Sequence, residues 1–168
     1  MTGWWRTNAV ALVALGVLAP TLVGVVAWNE SSSSASGRPI HVASDDSVTY
    51  AGATIGPATA EYRDDPLAPQ DTRVVSVRLR VDPGIPAIEC REPQLREIGG
   101  AERTWAAASY ELDRGWDAEN PTSCVAEATE SYTMVVDYIV PEGASGIFAI
   151  ELTSAESWPD FVSAVVEP

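Results

Sequence analysis

Acidic side chains are the groups in this sequence whose number and spacing most suggest chemistry. They form two clusters, Glu61, Asp64 and Asp65 in one and Asp113, Asp117 and Glu119 in the other. Hard cations such as Ca²⁺ take several oxygen ligands, so either cluster is a candidate calcium site. Neither cluster has the spacing of a calcium-binding loop, and acidic surface loops are common in a protein of this charge. We therefore favour a solvated surface at both clusters.

Other catalytic and metal-binding patterns are absent from the sequence. It contains no nucleophile elbow, phosphate loop, dinucleotide fingerprint or zincin motif. The single histidine, His41, follows a Ser-rich stretch, and we interpret it as a solvated residue rather than a catalytic base. Two cysteines with no neighbouring histidine are too few ligands for a structural zinc site. The sequence thus predicts a protein that is not an enzyme and has no cofactor or metal.

Charge is high and unevenly distributed along the 168 residues. There are 24 acidic and 10 basic residues, for a net charge of −14, and every basic residue is an arginine. Phosphate binding needs clustered basic side chains, so this balance argues against a nucleic-acid partner. Residues 1–29 contain no acidic residue and only Arg6 as a basic one. The composition of residues 1–29 therefore suits an apolar environment, and that of the rest of the chain suits water.

The N-terminal part contains a predicted membrane span over residues 9–28, twenty residues without a charge. A helix of that length rises about 30 Å, which matches the hydrocarbon core of a bilayer. Residues 1–8 include Arg6, and Glu30 follows the span. The positive-inside rule places residues 1–8 in the cytoplasm and the rest of the chain outside the cell. We expect this single-pass signal anchor to contact membrane lipid.

Cleavage as a signal peptide is the alternative for the same segment. The apolar run is longer than the usual 7–15 residues of a signal-peptide core. Val25, Val26 and Ala27 match a cleavage site only in part. An uncleaved signal anchor is therefore favoured, and the alternative stays open.

Beyond the span, residues 29–43 form a predicted Ser-rich linker, and residues 44–168 form a predicted extracellular domain built of short strands. The clearest strands are residues 73–81, in which Val75, Val77, Leu79 and Val81 share one face, and residues 132–140, in which alternate residues from Tyr132 to Val140 share one face. Further strands are predicted at residues 47–50, 59–62, 94–98, 103–109 and 147–153, with Gly99 and Gly100 as a turn. Residues 158–166 are either a strand or a short helical turn. The predicted fold class is mainly β, an immunoglobulin-like antiparallel β-sandwich after a transmembrane helix.

Cys90 and Cys124 are the only cysteines, and both lie in the predicted outer domain. An even number of cysteines in an oxidising compartment favours a disulfide bond. In the chain-entropy account, that bond stabilises the domain by roughly 3–4 kcal/mol.

This organisation resembles that of actinobacterial single-pass membrane-anchored proteins of unassigned function that carry an immunoglobulin-like extracellular domain. The resemblance rests on the N-terminal span, the Ser-rich linker and the Lys-free acidic domain. Residues 48–50, 90–105 and 138–141 are similar to parts of such domains. The resemblance implies a location and a fold, and it transfers no active site.

Three function classes follow from this organisation. The first is a membrane-anchored extracytoplasmic binding or interaction module without catalytic activity, with a protein partner at the cell surface. The second is an accessory subunit of a membrane protein assembly, and the third and least favoured is a cell-wall-facing enzyme. The first two differ in whether the span itself makes specific contacts.

Trp116 is the residue that we consider for contact with a partner. It lies in a polar run, residues 113–121, and tryptophan is enriched at binding hot spots. The alternative is that Trp116 folds back over the edge of the sandwich or the disulfide. Because a single tryptophan is not a patch, packing is favoured over contact.

Overall fold

The computed structural model describes residues 3–34, 37–115 and 117–168; within its helix, side chains are described for Gly3, Asn8, Ala9 and residues 13–26. The chain divides into two units, residues 1–37 and 38–168. Helix α1, Gly3–Ser34, is the regular element of the first unit and includes the predicted span. Within the described part of the chain, no helix has both the length and the hydropathy required to cross a membrane. The span at residues 9–28 therefore stays a prediction.

The second unit consists of two β-sheets, so the prediction of a mainly β fold is confirmed. One sheet has the strand order β1-β9-β8-β5-β6 and the other β2-β3-β4-β7. The strands are β1 Arg38–Val42, β2 Val48–Tyr50, β3 Ala53–Arg63, β4 Thr72–Asp82, β5 Gln94–Glu97, β6 Thr104–Trp105, β7 Tyr132–Pro141, β8 Phe148–Thr153 and β9 Asp160–Val166.

Strands β4 and β7 are the longest pair, and they define an inner and an outer face. Alternate side chains of β4, such as Val77 and Leu79, are fully buried in a core shared with the other sheet. On β7, Val136 and Tyr138 face the same core. Burial of alternate apolar residues fixes the register, because a slip of one residue would expose them all. The intervening residues of both strands therefore lie on the outer face.

The expected purely antiparallel pairing is wrong at one edge. Strand β1 pairs in parallel with β9, from Arg38 opposite Asp160 to Val42 opposite Ala164. The physical reason is the path of the chain, which enters beside the last strand and then continues to β2 in the other sheet. The remaining strand pairs are antiparallel.

Part of the predicted linker at residues 29–43 is strand β1 in the structure. Helix α1 continues to Ser34, and the strand begins at Arg38. Ile40 and Val42 pack against the main core, which explains why this piece of the linker is ordered as a strand. His41 is therefore a strand residue, opposite Ser163 on β9.

A bulge bends β3 between Ile55 and Ala58. At its centre, Gly56 has a φ of 110°, and a Cβ atom there would lie 2.4 Å from the carbonyl oxygen of Asp46. Only glycine fits this close approach of two backbones. Strand β3 pairs with β4 on both sides of the bulge, and its first residues also pair with the short β2.

The connection between β6 and β7 spans residues 106–131, and we call it the covering segment because part of it packs on the outer face. The strand predicted at residues 103–109 shrinks to Thr104–Trp105 because the chain leaves the sheet here. Ala108 and Leu112 instead form a second small core with Val74 of β4. The amide of Ala108 donates to the carbonyl oxygen of Asp137 at 2.8 Å. The edge strand β7 is thus partly covered.

The predicted Cys90–Cys124 disulfide is present in the structure, with a Cα–Cα distance of 5.1 Å. It joins the β4–β5 connection to the covering segment. The region predicted at residues 158–166 contains strand β9, preceded by a 3₁₀ turn at Ala155–Ser157.

Candidate functional site

A row of three polar side chains crosses the outer face of the β3-β4-β7 sheet. Ser76 on β4 lies opposite Glu61 on β3 and opposite Asp137 on β7. Each is an outward position of its strand, because its neighbours along the chain face the core. Ser76 and Asp137 are nevertheless buried, with 0% and 6% of their surface exposed. The covering segment is what removes Asp137 from solvent.

Arg114 connects the covering segment to this face through two ion pairs. Its Nε donates to Oδ2 of Asp137 at 2.9 Å, and its Nη2 donates to Oδ2 of Asp65 at 2.8 Å. The Asp65 and Asp137 side chains are only 8% and 7% exposed, whereas Arg114 is 39% exposed. Burial works to lower the pKa of Arg114, but Asp137 and Asp65 raise it above its ordinary value on balance. One guanidinium therefore joins three separate parts of the chain.

Two buried polar atoms beside Arg114 lack a partner within the described residues. They are the hydroxyl oxygen of Ser76 and Oδ1 of Asp137. Buried polar atoms in folded proteins are nearly always hydrogen-bonded, and each exception asks for an explanation. The two atoms belong to directly opposed residues, so they mark one location.

Asp137, but not Ser76, lines a cavity of about 500 Å³, which we call the polar cleft. Its lining is Arg63, Arg78, Ser109, Asp113, Arg114, Gly115, Asp117, Asn120, Thr122, Val135 and Asp137. Arg63 and Arg78 approach the carboxylate of Glu61 at only 3.5 and 4.0 Å. Their side chains are 46% and 48% exposed. Both guanidinium groups therefore keep donor capacity for another anion.

Both acidic clusters of the sequence contribute residues near this cleft, where Asp65 binds Arg114 without lining the cleft itself. Asp65 comes from the first cluster, and Asp113 and Asp117 come from the second. Asp117 is held locally: Nδ2 of Asn120 donates to it at 2.7 Å and the amide of Glu119 at 2.8 Å. These hydrogen bonds lower the pKa of Asp117. The described residues include no group of three His, Cys, Asp or Glu side chains placed to hold a metal ion.

Trp116 itself lies outside the described residues, so its contacts stay a prediction. Gly115 and Asp117, on either side of it, both line the polar cleft. The polar run that contains Trp116 is thus part of the candidate site.

A second concave site, of about 400 Å³, lies beside Trp158, and we call it the Trp158 pocket. Its lining is Glu89, Cys90, Arg91, Thr153, Ser154, Ala155 and Trp158. The tryptophan is 58% exposed. Glu89 and Arg91 are exposed, and within the described part of the chain neither makes a hydrogen bond or an ion pair.

The walls of the Trp158 pocket are fixed from behind. The buried Tyr50 donates its hydroxyl to the carbonyl oxygen of Asp160 at 2.8 Å and accepts from the amide of Ser154 at 2.9 Å. Burial raises the pKa of this hydroxyl. On the other side, the disulfide holds Cys90, and Ile88 is buried in the core. The turn that carries Trp158 is therefore braced at both ends.

Sequence reasoning missed three residues of these sites: Asp137, Arg114 and Trp158. A signal for Asp137 was available, since it is the one charge within the apolar run at residues 132–140. A charge at an outward position of a strongly apolar strand indicates a partner above the sheet. Nothing in the sequence connects Arg114 to that strand, because the contact depends on the path of the covering segment.

Comparison with known proteins adds little to this geometry. No protein-family model and no curated protein matches the sequence. A similar solved structure is that of a "putative lipoprotein (ycdA)" from Bacillus subtilis subsp. subtilis str. 168, at 14% identity and a TM-score of 0.47. The match covers 72% of this chain and 38% of that one.

Proposed function

We propose that this protein is a membrane-anchored extracytoplasmic binding module without catalytic activity, and that the polar cleft is its ligand site. The observation that carries the proposal is the unpartnered Oδ1 of Asp137, a residue that lines a cavity rich in arginine, with the unpartnered hydroxyl of Ser76 opposite it on the neighbouring strand. A ligand group or an ordered water that donates a hydrogen bond to these atoms would satisfy them.

The chemistry of the cleft favours a small zwitterion. A ligand carboxylate would bind between Arg63 and Arg78, whose present contacts with Glu61 are long. A ligand ammonium or hydroxyl group would enter beside Arg114 and reach Asp137 after a small side-chain shift. The opposite charges of the two ends would fix the orientation of the ligand. An α-amino acid or the end of a peptide has this pattern.

The absence of catalysis is proposed from the groups that surround Ser76. A serine nucleophile needs a base to accept its proton. Of the two carboxylates opposite Ser76, Asp137 is already engaged by Arg114, and Glu61 lies near Arg63 and Arg78. The lining of the cleft includes no histidine, since His41 lies on β1 of the other sheet.

The membrane location is proposed from the sequence of residues 9–28 as a whole. Helix α1 covers this uncharged run, and the described large apolar side chains between Val13 and Val26 are at least half exposed. Such a surface is stable in lipid and costly in water. Arg6 before the run supports a cytoplasmic N-terminus and an extracellular domain.

An immunoglobulin-like type is proposed for the strand domain from its strand order. The neighbours β3-β4-β7 correspond to strands A, B and E of that fold, and β5-β8-β9 correspond to C, F and G. The disulfide differs, because Cys90 and Cys124 both lie outside strands rather than on B and F.

Glycine and glycylglycine are suitable probes for the cleft. We expect each to produce saturable amide shifts at Arg114 and Asp137 in NMR spectra of the full ¹⁵N-labelled chain in nanodiscs. Arg78→Gln should weaken binding about tenfold, because it removes one charged hydrogen-bond donor. Arg80→Gln, on the same strand and face but outside the cleft, is the matched control. Absence of saturable shifts with both probes would overturn the zwitterion site.

Protease treatment of intact cells tests the location. We expect it to remove the strand domain and to leave a membrane-embedded fragment containing residues 9–28. Full protection of the chain would contradict an extracellular domain. A soluble mature protein beginning after Ala27 would show cleavage instead of anchoring.

A further inference from the structure

A second ligand site is indicated at the Trp158 pocket, on residues that have no role in the polar cleft. Trp158 is the most exposed tryptophan for which the structure gives a value, and its ring borders a cavity rather than a flat surface. Large aromatic side chains are normally buried for most of their area, so an exposed one at a cavity is informative. The volume of the Trp158 pocket, about 400 Å³, is within the range of small-ligand sites.

The charges beside the indole define what it can bind. Glu89 supplies two acceptor oxygens and Arg91 supplies several donors, and neither is used by another described residue. Together they are neutral, which disfavours a ligand with net charge. They suit a ligand whose groups both donate and accept hydrogen bonds, as neighbouring hydroxyl groups do.

We propose that the Trp158 pocket binds a neutral pyranose ring, such as one unit of an uncharged glycan. The apolar C–H face of the ring stacks on the indole of Trp158, and its hydroxyl groups bond to Glu89 and Arg91. A protein partner fits less well, because hot spots at protein interfaces lie within a broader desolvated patch. The net charge of −14 further disfavours anionic glycans.

The walls of the Trp158 pocket are held in place by contacts within the protein, which favours ligand binding at a shallow site. Tyr50 holds the turn that carries Trp158, and the disulfide holds the opposite wall. Walls that are ordered before binding reduce the entropy lost on association. A single stacked ring with a few hydrogen bonds is therefore sufficient for measurable affinity.

The test uses the full chain in phospholipid nanodiscs, prepared without sugar-based detergents because their headgroups would compete. Glucose, galactose, mannose, N-acetylglucosamine and their β-linked disaccharides are titrated, and NMR follows the indole N–H signal of Trp158 together with the backbone amide signals of Ser154 and Ala155, which remain in the Trp158 variants. We expect at least one sugar to shift these signals saturably. Trp158→Ala should weaken binding at least tenfold, and Trp158→Phe, which keeps a stacking face, should weaken it less.

Two matched controls separate the outcomes. Tyr110→Ala removes an aromatic ring that is 94% exposed elsewhere, and it should leave sugar binding unchanged. Arg78→Gln alters the polar cleft and should also leave it unchanged, so this proposal and the cleft proposal fail independently. The pocket proposal is wrong if no sugar binds, or if binding survives Trp158→Ala. Loss of a copurifying protein in Trp158→Ala, without sugar binding to the wild type, would instead show a protein interface.

Discussion

The polar cleft and the Trp158 pocket are similar in volume but differ in what their charged residues contact. At the cleft, the buried carboxylates of Asp65 and Asp137 share one guanidinium within 2.9 Å. At the pocket, Glu89 and Arg91 have no partner within the described residues. The cleft therefore combines a structural role with any binding role, whereas the charges of the pocket are free for a ligand.

This difference predicts how the two sites respond to mutation. Removing one member of a buried pair leaves the other charge without compensation, which is strongly destabilising. Removing an exposed, unpaired charge changes little in the folded state. Stability and binding should thus change together at the cleft and separately at the pocket.

Loss of the disulfide should have the largest effect, because the bond joins one wall of the Trp158 pocket to the covering segment. Cys90 lines the Trp158 pocket, and Cys124 lines a cavity of about 360 Å³ that shares Arg114 with the cleft. The double change Cys90→Ser with Cys124→Ser should lower the free energy of unfolding by about 3–4 kcal/mol, given the separation of 34 residues. Thermal unfolding of the full chain in nanodiscs measures this. A loss below about 1 kcal/mol would show that the covering segment is held without the bond.

Arg114→Gln should have the next largest effect. It leaves Asp65 and Asp137 buried without a cation, and breaking a fully buried pair costs about 3–5 kcal/mol. Because Arg114 is 39% exposed, solvent screens part of this, and we expect about 2 kcal/mol. Adding Asp137→Asn should recover part of the loss, since the uncompensated charge is then removed. Equal stability of Arg114→Gln and Arg80→Gln would refute a structural role for the cleft charges.

The sequence predicted the strands better than the sites, and the reason is physical. Alternation of apolar residues located β4 and β7, since burial of one face requires that pattern. It missed β1, because a proline and a histidine in residues 38–42 obscure the alternation and the partner strand is more than a hundred residues away.

The sites depend on contacts that no local pattern encodes. Arg114 reaches Asp65 and Asp137, which are 49 and 23 residues distant. The same reasoning that selected Trp116 also applies to Trp158, which is another tryptophan beside charged residues. The exposure of Trp158 follows from the turn that Tyr50 fixes rather than from the neighbouring sequence.

Glu97 provides a pH-dependent test of how far hydrogen-bonded partners stabilise a buried carboxylate. The Glu97 residue is 2% exposed. Two hydrogen bonds from the guanidinium of Arg103 and one from the amide of Ser145 lower the pKa of its carboxyl group from 4.5 to about 2. A lowered pKa means that the contribution to stability is complete above pH 4.5 and is lost as the pH falls towards 2. Glu97→Gln should therefore lower the melting temperature at pH 7, with a smaller difference from wild type at pH 3. A difference that is constant with pH would contradict this account.

The smallest effect on stability is expected at the Trp158 pocket. Glu89→Gln and Arg91→Gln should each change the free energy of unfolding by no more than about 0.5 kcal/mol, because both side chains are exposed and have no partner among the residues that the structure describes. Arg114→Gln is the matched arginine change at the cleft, and thermal unfolding of the three variants under one condition compares them directly. If Arg91→Gln destabilised the protein as much as Arg114→Gln does, Arg91 would have a structural partner, and the contrast between the two sites would fail. If it leaves stability unchanged while weakening sugar binding, the charge of Arg91 serves the ligand alone.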